Sequence, residues 1–385
     1  MSIKRVLALT GIRSDYDLMS GLYSKIMEDP QMELGLIVCG AHLAETYGYT
    51  LQYIEKDNMP IIAKIESLLD SNSPASRIKS ASILMQSCIH TVEAFNPDVI
   101  IYAGDREEVI VGALLGAYMG IPTVHFFGGD HATDGNVDNA VRHACSKLSS
   151  IHFVTHESHK KRLVRMGELE DRIYVIGNPA LDKFINTEKI DKKIILKKLG
   201  RENWNEYALL IFHPILGFER KSGLYFEQIL MALKSTGINT FVSYPNSDAG
   251  NKNIIELIKK YSADDNLCFY TNLERAVFIN LMRNANFLIG NSSAGILEAP
   301  TIPLAAINVG IRQRDRFAAS NVVFVDQNVE AIIEAIKTVN DKDFKKRLDR
   351  IKNPYGDGNS ASGALDLIKQ IDFNKYQSKW EDPLE

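Results

Sequence analysis

The chain has 385 residues, 45% apolar and 24% charged, with a net charge of −4. That length suits two domains, each with a real core, better than one. The nearly balanced charge and the lack of a long basic run exclude broad nucleic-acid binding, which needs a basic face.

Met1-Ser2-Ile3-Lys4-Arg5 leads into an apolar run too short for a signal h-region, so it reads as a first strand. No apolar stretch reaches membrane-spanning length. Cys39, Cys88, Cys145 and Cys268 form no CxxC pair, which argues against a zinc ribbon or a disulfide framework. Reduced, buried thiols in a cytoplasmic protein are the expectation.

In chain order, Val6–Leu9 is a strand, followed by a helical pattern through Leu18, Leu22 and Ile26. Further strands are expected at Leu34–Val38, Val99–Tyr102, Thr123–Phe126, Ile151–Val154 and Ile173–Ile176, with helical patterns between most of them. Strand and helix in alternation mean right-handed βαβ units and a parallel sheet. A lysine-rich helix, Lys189–Lys198, and a polar segment, Gly200–Glu206, then interrupt the rhythm. It restarts at Ala208–Phe212, Thr240–Tyr244, Leu267–Tyr270, Phe287–Ile289, Leu304–Ile307 and Val322–Val325. Ser360–Tyr376 reads as helical and Gln377–Glu385 as loosely ordered. The fold class is therefore α/β, with two Rossmann-like doubly wound sheets. Such sheets bind ligands beyond the C-terminal ends of their strands, and a cleft between the domains is the expected place.

The residues at those ends carry chemistry. Gly11-Ile12-Arg13-Ser14-Asp15 follows the first strand; Ser14 or Asp15 can cap the next helix, and Arg13 then sits near its N-terminus, where an anion is favoured. Gly104-Asp105-Arg106-Glu107 follows another strand, and Asp105 is either a general acid/base or a helix N-cap. His125 to Asp130 ends a strand with two glycines that let backbone approach a ligand. Asp138 and Arg142 then lie four apart on one helix face. The spacing of His125, His131 and His143 matches no metal motif. In the second half, Pro214 stops the ladder and leaves His213 at a strand tip. Gly290-Asn291-Ser292-Ser293-Ala294-Gly295 reads as strand, small polar turn and helix. That makes a phosphate cradle, with Glu298 about a turn into the helix, where it can accept ribose hydroxyls.

In this order and spacing, these segments, together with Asn308 to Gln313, resemble the UDP-N-acetylglucosamine 2-epimerase family. The hydrolysing branch that serves sialic-acid-type pathways is the nearest match, over roughly Lys4 to Ile371. The resemblance implies GT-B architecture: a first domain over 1–180, a second over 181–365, and a C-terminal segment, 366–385, crossing back to the first. It implies catalytic roles for Asp105 and Asp138, with Arg142 orienting Asp138. It places His213 by the diphosphate, and Gly290, Asn291, Ser292, Ser293, Gly295, Glu298, Arg312 and Arg13 around phosphate and ribose. It also implies a homodimer, a UDP- or GDP-linked sugar substrate, no cofactor and no metal.

There are two departures. Hydrolysing members usually have Gly-Gly-Glu, whereas Asp130 here is one methylene shorter and the loop from Asp130 to Asp138 is about two residues longer. Where non-hydrolysing and bifunctional members carry a glutamate, this chain has Phe127, leaving Asp130 as the replacement acid/base. Phe126 and Phe127 are read as lining a less polar sugar pocket. The implied chemistry is elimination to a glycal and hydration, shared among Asp105, Asp130 and Asp138. The rivals are a GT-B glycosyltransferase and a catalytically silent nucleotide-sugar sensor.

Overall fold

The computed structural model describes residues 3–70, 74–131, 137–215, 217–245, 250–271, 273–314, 316–380 and 382. The chain divides into two compact units. Met1–His131, Val137–Asp182 and Gly358–Glu385 belong to the first, and Lys183–Asp357 to the second.

Among the described residues, the first unit holds seven strands: β1 (Lys4–Thr10), β2 (Met32–Cys39), β3 (Ile61–Ile65), β4 (Val99–Ala103), β5 (Thr123–Phe126), β6 (Ile151–Val154) and β7 (Ile173–Val175). All pairs are parallel, in the order β3-β2-β1-β4-β5-β6-β7. Strands covered by helices on both faces must be apolar on both faces. Val6, Leu7, Ala8, Ile100 and Ile101 are accordingly sealed from solvent. The sheet edge β3 was not foreseen: Ile61–Ile65 is short, follows Pro60 and is interrupted by Lys64, and only Ile65 is buried.

The second unit holds β8 (Ala208–Ile211), β9 (Thr240–Ser243), β10 (Leu267–Tyr270), β11 (Phe287–Gly290), β12 (Ala305–Val309) and β13 (Val322–Val325), ordered β10-β9-β8-β11-β12-β13. Each sheet reverses its winding once, between β1 and β4 and between β8 and β11. Those switch points are where doubly wound sheets bind ligands.

The return to the first unit begins earlier than position 366, because the whole helix Ser360–Gln370 belongs there. The buried Asp182 carboxylate caps it, accepting the N–H groups of Ser360 at 3.0 Å and Ala361 at 2.8 Å. Ala361, Ala364 and Ile368 pack into the core that contains Tyr16, Met19 and Tyr23. Lys4 Nζ donates to the carbonyls of Ile368, Lys369 and Ile371 at the other end. The expectation of a loose tail fails at Ser378 and Lys379. Arg172 donates to the Ser378 carbonyl, and Lys379 pairs with the buried Glu168.

Candidate active site

At the first switch point, the helix Glu107–Met119 starts just after β4, and its N-cap is Arg106. Asp105 is therefore not the cap. Its carboxylate accepts a hydrogen bond from Arg142 on the helix Val137–Leu148. The turn beneath is braced by His125, whose Nε2 lies 2.8 Å from the Gly104 carbonyl and whose Nδ1 lies 3.1 Å from Ser146 Oγ. Burial pushes the His125 imidazole down to about 3, so it is neutral and structural.

Arg142 also lies 3.9 Å from Asp130. The expected pairing is thus corrected: the guanidinium of Arg142 is directed at Asp105 and Asp130, and among the described residues Arg77 is the arginine within ion-pair distance of Asp138. Arg77, on the helix Pro74–Phe95, pairs with Glu107 and comes within 3.6 Å of Asp138. Arg77 and Glu107 were missed as site residues because nothing in the local spacing links position 77 to 107 or 138. Asp138 and Glu107 are driven in opposite directions. Burial raises the Asp138 carboxyl above its usual range, against the pull of Arg77 and Arg106. Burial is the largest influence on Glu107 and works upward, but the hydrogen bond from Arg77, a backbone hydrogen bond and the charges of Arg106 and Arg77 together outweigh it and bring that carboxyl down. Such a split suits a proton donor beside a fixed anion.

Beside these groups, Ile78, Ala81, Ile110, Val137 and Val141 line a cavity of about 370 Å³ that Asp105, Arg106, Glu107 and Arg77 border. The phenylalanines do not form it. Phe126 is fully buried against Phe153, and Phe127 packs on the same core. Residues 132–136, where the longer loop was expected, lie outside the described residues.

Near β1, neither Ser14 nor Asp15 is the helix cap. The helix Arg13–Glu28 has Ile12 at its N-cap. Asp15 instead reaches back to the Gly11 N–H at 2.9 Å and to Thr10 Oγ1 at 2.5 Å. Arg13 stacks over Tyr53 at 4.4 Å and lies 3.7 Å from Asp17, so part of its charge is already met. Burial and the nearby Asp15 push Glu108 up to about 8.

In the second unit, the β8 and β11 tips are stitched by one side chain. Asn291, fully buried, accepts the His213 N–H at 2.8 Å and donates to the His213 carbonyl at 2.8 Å. Asn291 is thus a strand tie rather than an open phosphate donor. Gly290 has φ +131°, and a Cβ there would lie 2.0 Å from the Ile211 carbonyl, so only glycine permits this approach. Gly295 packs on Ala306 across the sheet, which assigns it to helix–sheet contact. Arg312 donates to the Asn291 carbonyl at 3.1 Å. Burial, with Arg312 nearby, pushes His213 down to about 4, leaving a neutral imidazole.

Ser292 and Ser293 precede a helix of four residues, Ala294–Leu297, and Glu298 is its C-cap. The expected longer helix is cut short by Pro300, which follows in the 3₁₀ turn Ala299–Thr301. Among the described residues, Glu298 Oε2 is buried with no hydrogen-bond partner. A buried oxygen of that kind costs about 1–3 kcal/mol until a donor arrives. Burial raises this carboxyl, against the cations Arg275 and Arg316.

Two doubly wound parallel sheets in one chain, each with its polar turn at the switch point, define the GT-B class of fold. The chain belongs to the UDP-N-acetylglucosamine 2-epimerase family, whose model matches residues 24–369. It is 32% identical over 369 residues to the UDP-N,N'-diacetylbacillosamine 2-epimerase (hydrolyzing) of Legionella pneumophila, covering 96% of each chain. It is 32% identical over 335 residues to the UDP-N-acetylglucosamine 2-epimerase of Neisseria meningitidis serogroup B, covering 87% of each. In fold it is similar to the crystal structure of UDP-GlcNAc 2-epimerase from Neisseria meningitidis bound to UDP-GlcNAc. That likeness has a TM-score of 0.82 at 20% identity over 95% of this chain and 100% of that one.

Proposed function

We propose that the chain is a hydrolysing 2-epimerase that converts UDP-N-acetylglucosamine to N-acetylmannosamine and UDP, in the biosynthesis of nonulosonic, sialic-type acids. The observation that carries this reading is the pair Asp105, just after β4, and Asp138, on the helix that follows β5, each with an arginine beside it. The relatives whose names include hydrolyzing support the hydrolysing chemistry, and the Neisseria meningitidis relative bears the name of a UDP-N-acetylglucosamine 2-epimerase. In the first step a carboxylate takes the C2 proton and the C1–O bond breaks, expelling UDP and leaving a glycal. In the second, a carboxylic acid protonates C2 from the opposite face and water adds at C1. Asp138, raised by burial, suits the acid role; Asp105, held by Arg142, suits the anionic one. In the second unit, neutral His213, the Ser292–Ser293 turn and Arg312 receive the diphosphate, and Glu298 Oε2 accepts ribose hydroxyls. The enzyme acts in the cytoplasm as a homodimer.

An NMR time course in D₂O with UDP-N-acetylglucosamine alone tests this. Free N-acetylmannosamine with deuterium at C2, plus UDP, is the expected result. Transfer only on addition of an acceptor would make the chain a glycosyltransferase, and binding without turnover would make it a sensor.

A second reading has its own observation. The cavity beside Asp105 is lined by aliphatic side chains, which suit the methyl groups of a UDP- or GDP-linked 2,4-diacetamido-6-deoxy sugar. The Legionella pneumophila relative bears the name of such an activity. A higher kcat/KM on the diacetamido substrate than on UDP-N-acetylglucosamine would select this reading.

A further inference from the structure

We propose that His159 is a positioning residue for Asp130, supplying from a neighbouring helix the reach that this short side chain lacks. The inference rests on the reading of Asp130 as a participant in proton transfer. Asp130 follows Gly129, which has φ +73° and is pressed so closely on the His159 carbonyl that a Cβ would lie 2.4 Å from it. One turn further along the helix Glu157–Arg165, Arg162 donates to the Gly129 carbonyl. Two residues of one helix therefore hold the turn that presents Asp130.

The His159 ring is buried and has a partner on each nitrogen. Nδ1 lies 3.0 Å from Thr155 Oγ1, and Nε2 lies 3.3 Å from Asp130 Oδ1. A ring fixed at one nitrogen presents the other in a defined direction, as it does for a histidine that binds a metal through its other nitrogen. Asp130 Oδ1 also accepts the His131 N–H at 2.8 Å, and Oδ2 faces Arg142 at 3.9 Å. Among the described residues, further charged or titratable groups near the pair include His131, stacked on His143 at 5.6 Å, His156 and Arg162. A glutamate at position 130 would extend one methylene further and would not need to be held from Glu157–Arg165.

The test is a double-mutant cycle with substrate turnover. His159→Gln is expected to lower kcat about 30-fold with KM within about 3-fold. In an Asp130→Glu background the same change is expected to cost less than about 3-fold, since the longer side chain no longer depends on the imidazole. Equal costs in both backgrounds, or no cost in either, would overturn the proposal and leave His159 a brace of the fold. If His159→Gln does not fold, Thr155→Val, which frees only Nδ1, replaces it in the same cycle with the same two outcomes. The pair also has a readout that needs no turnover: the ring nitrogen signals of His159 are expected to move in Asp130→Asn far more than those of the exposed His90. Unmoved His159 signals would sink the pairing. Absence of free sugar from wild-type enzyme would instead sink the activity reading, with the signals still deciding the pair.

Discussion

The two switch points differ in kind. In the first unit, the turns after β4 and β5 and the helix starts beyond them carry Asp105, Glu107, Asp130 and Asp138, met by Arg77 and Arg142 from separate helices. In the second, the turn between β11 and Ala294–Leu297 is built of glycine, amide and hydroxyl groups, and His213 at the neighbouring β8 tip is neutral. A group that must gain and lose a proton needs a nearby charge to tune it. A turn that only holds an anion needs close backbone and oriented donors. On the proposed function, the contrast fits proton chemistry in the first unit and nucleotide binding in the second, and four experiments bear on it.

The largest effect is expected from Asp105→Asn and Asp138→Asn, each losing about 10²–10⁴ in kcat with thermal stability retained. Near-normal turnover in both would dissolve the contrast at once. Next is Arg77→Met, which takes the shared cation from Glu107 and Asp138. About a 10–100-fold loss of kcat is expected. Its pH profile carries a sign. Arg77 opposes the upward push of burial on Asp138, so its removal raises that carboxyl further, and any rate limb that requires ionised Asp138 moves to higher pH.

Glu298→Gln probes the other side of the comparison. It is expected to raise KM about 10-fold with kcat within about 3-fold, the mark of binding shared by ground and transition states. A kcat loss at constant KM would move proton chemistry into the second unit. The smallest effect belongs to Glu108, which lies beside the acids but is sealed in the fold. Its folded carboxyl is raised to about 8, so the folded state holds a proton that the unfolded chain releases above its ordinary range. The stability it contributes is full at acid pH and lost as pH rises towards 8. Between pH 6 and 7 the wild type is expected to lose about 1 kcal/mol that Glu108→Gln keeps, read by denaturant titration at each pH. Parallel curves for the two proteins would place the proton elsewhere.

Much of this was legible along the chain. Continuous apolar runs such as Val99–Tyr102 and Phe287–Ile289 had to be strands covered on both faces, because no other element of that length hides every side chain. Asp105 and Gly290 announced themselves as strand-end residues through the same runs. The roles of single residues were less legible. Asn291 and Gly295 looked like phosphate ligands because the turn is small and polar, yet the structure uses one to tie β8 to β11 and the other to pack on Ala306.

By itself, then, the sequence determined the alternation of strands and helices, the division into two parallel sheets, and the turns where chemistry gathers. Periodicity and burial act over a few residues and leave their mark in local order. Only the tertiary structure decided the partners. Helical spacing offered Arg142 to Asp138, four residues away, but the βα crossovers carried it to Asp105, 37 residues away, and brought Arg77 to Asp138. Charges pair with what is near in space, and in a doubly wound sheet nearness is set by strand order rather than by distance along the chain.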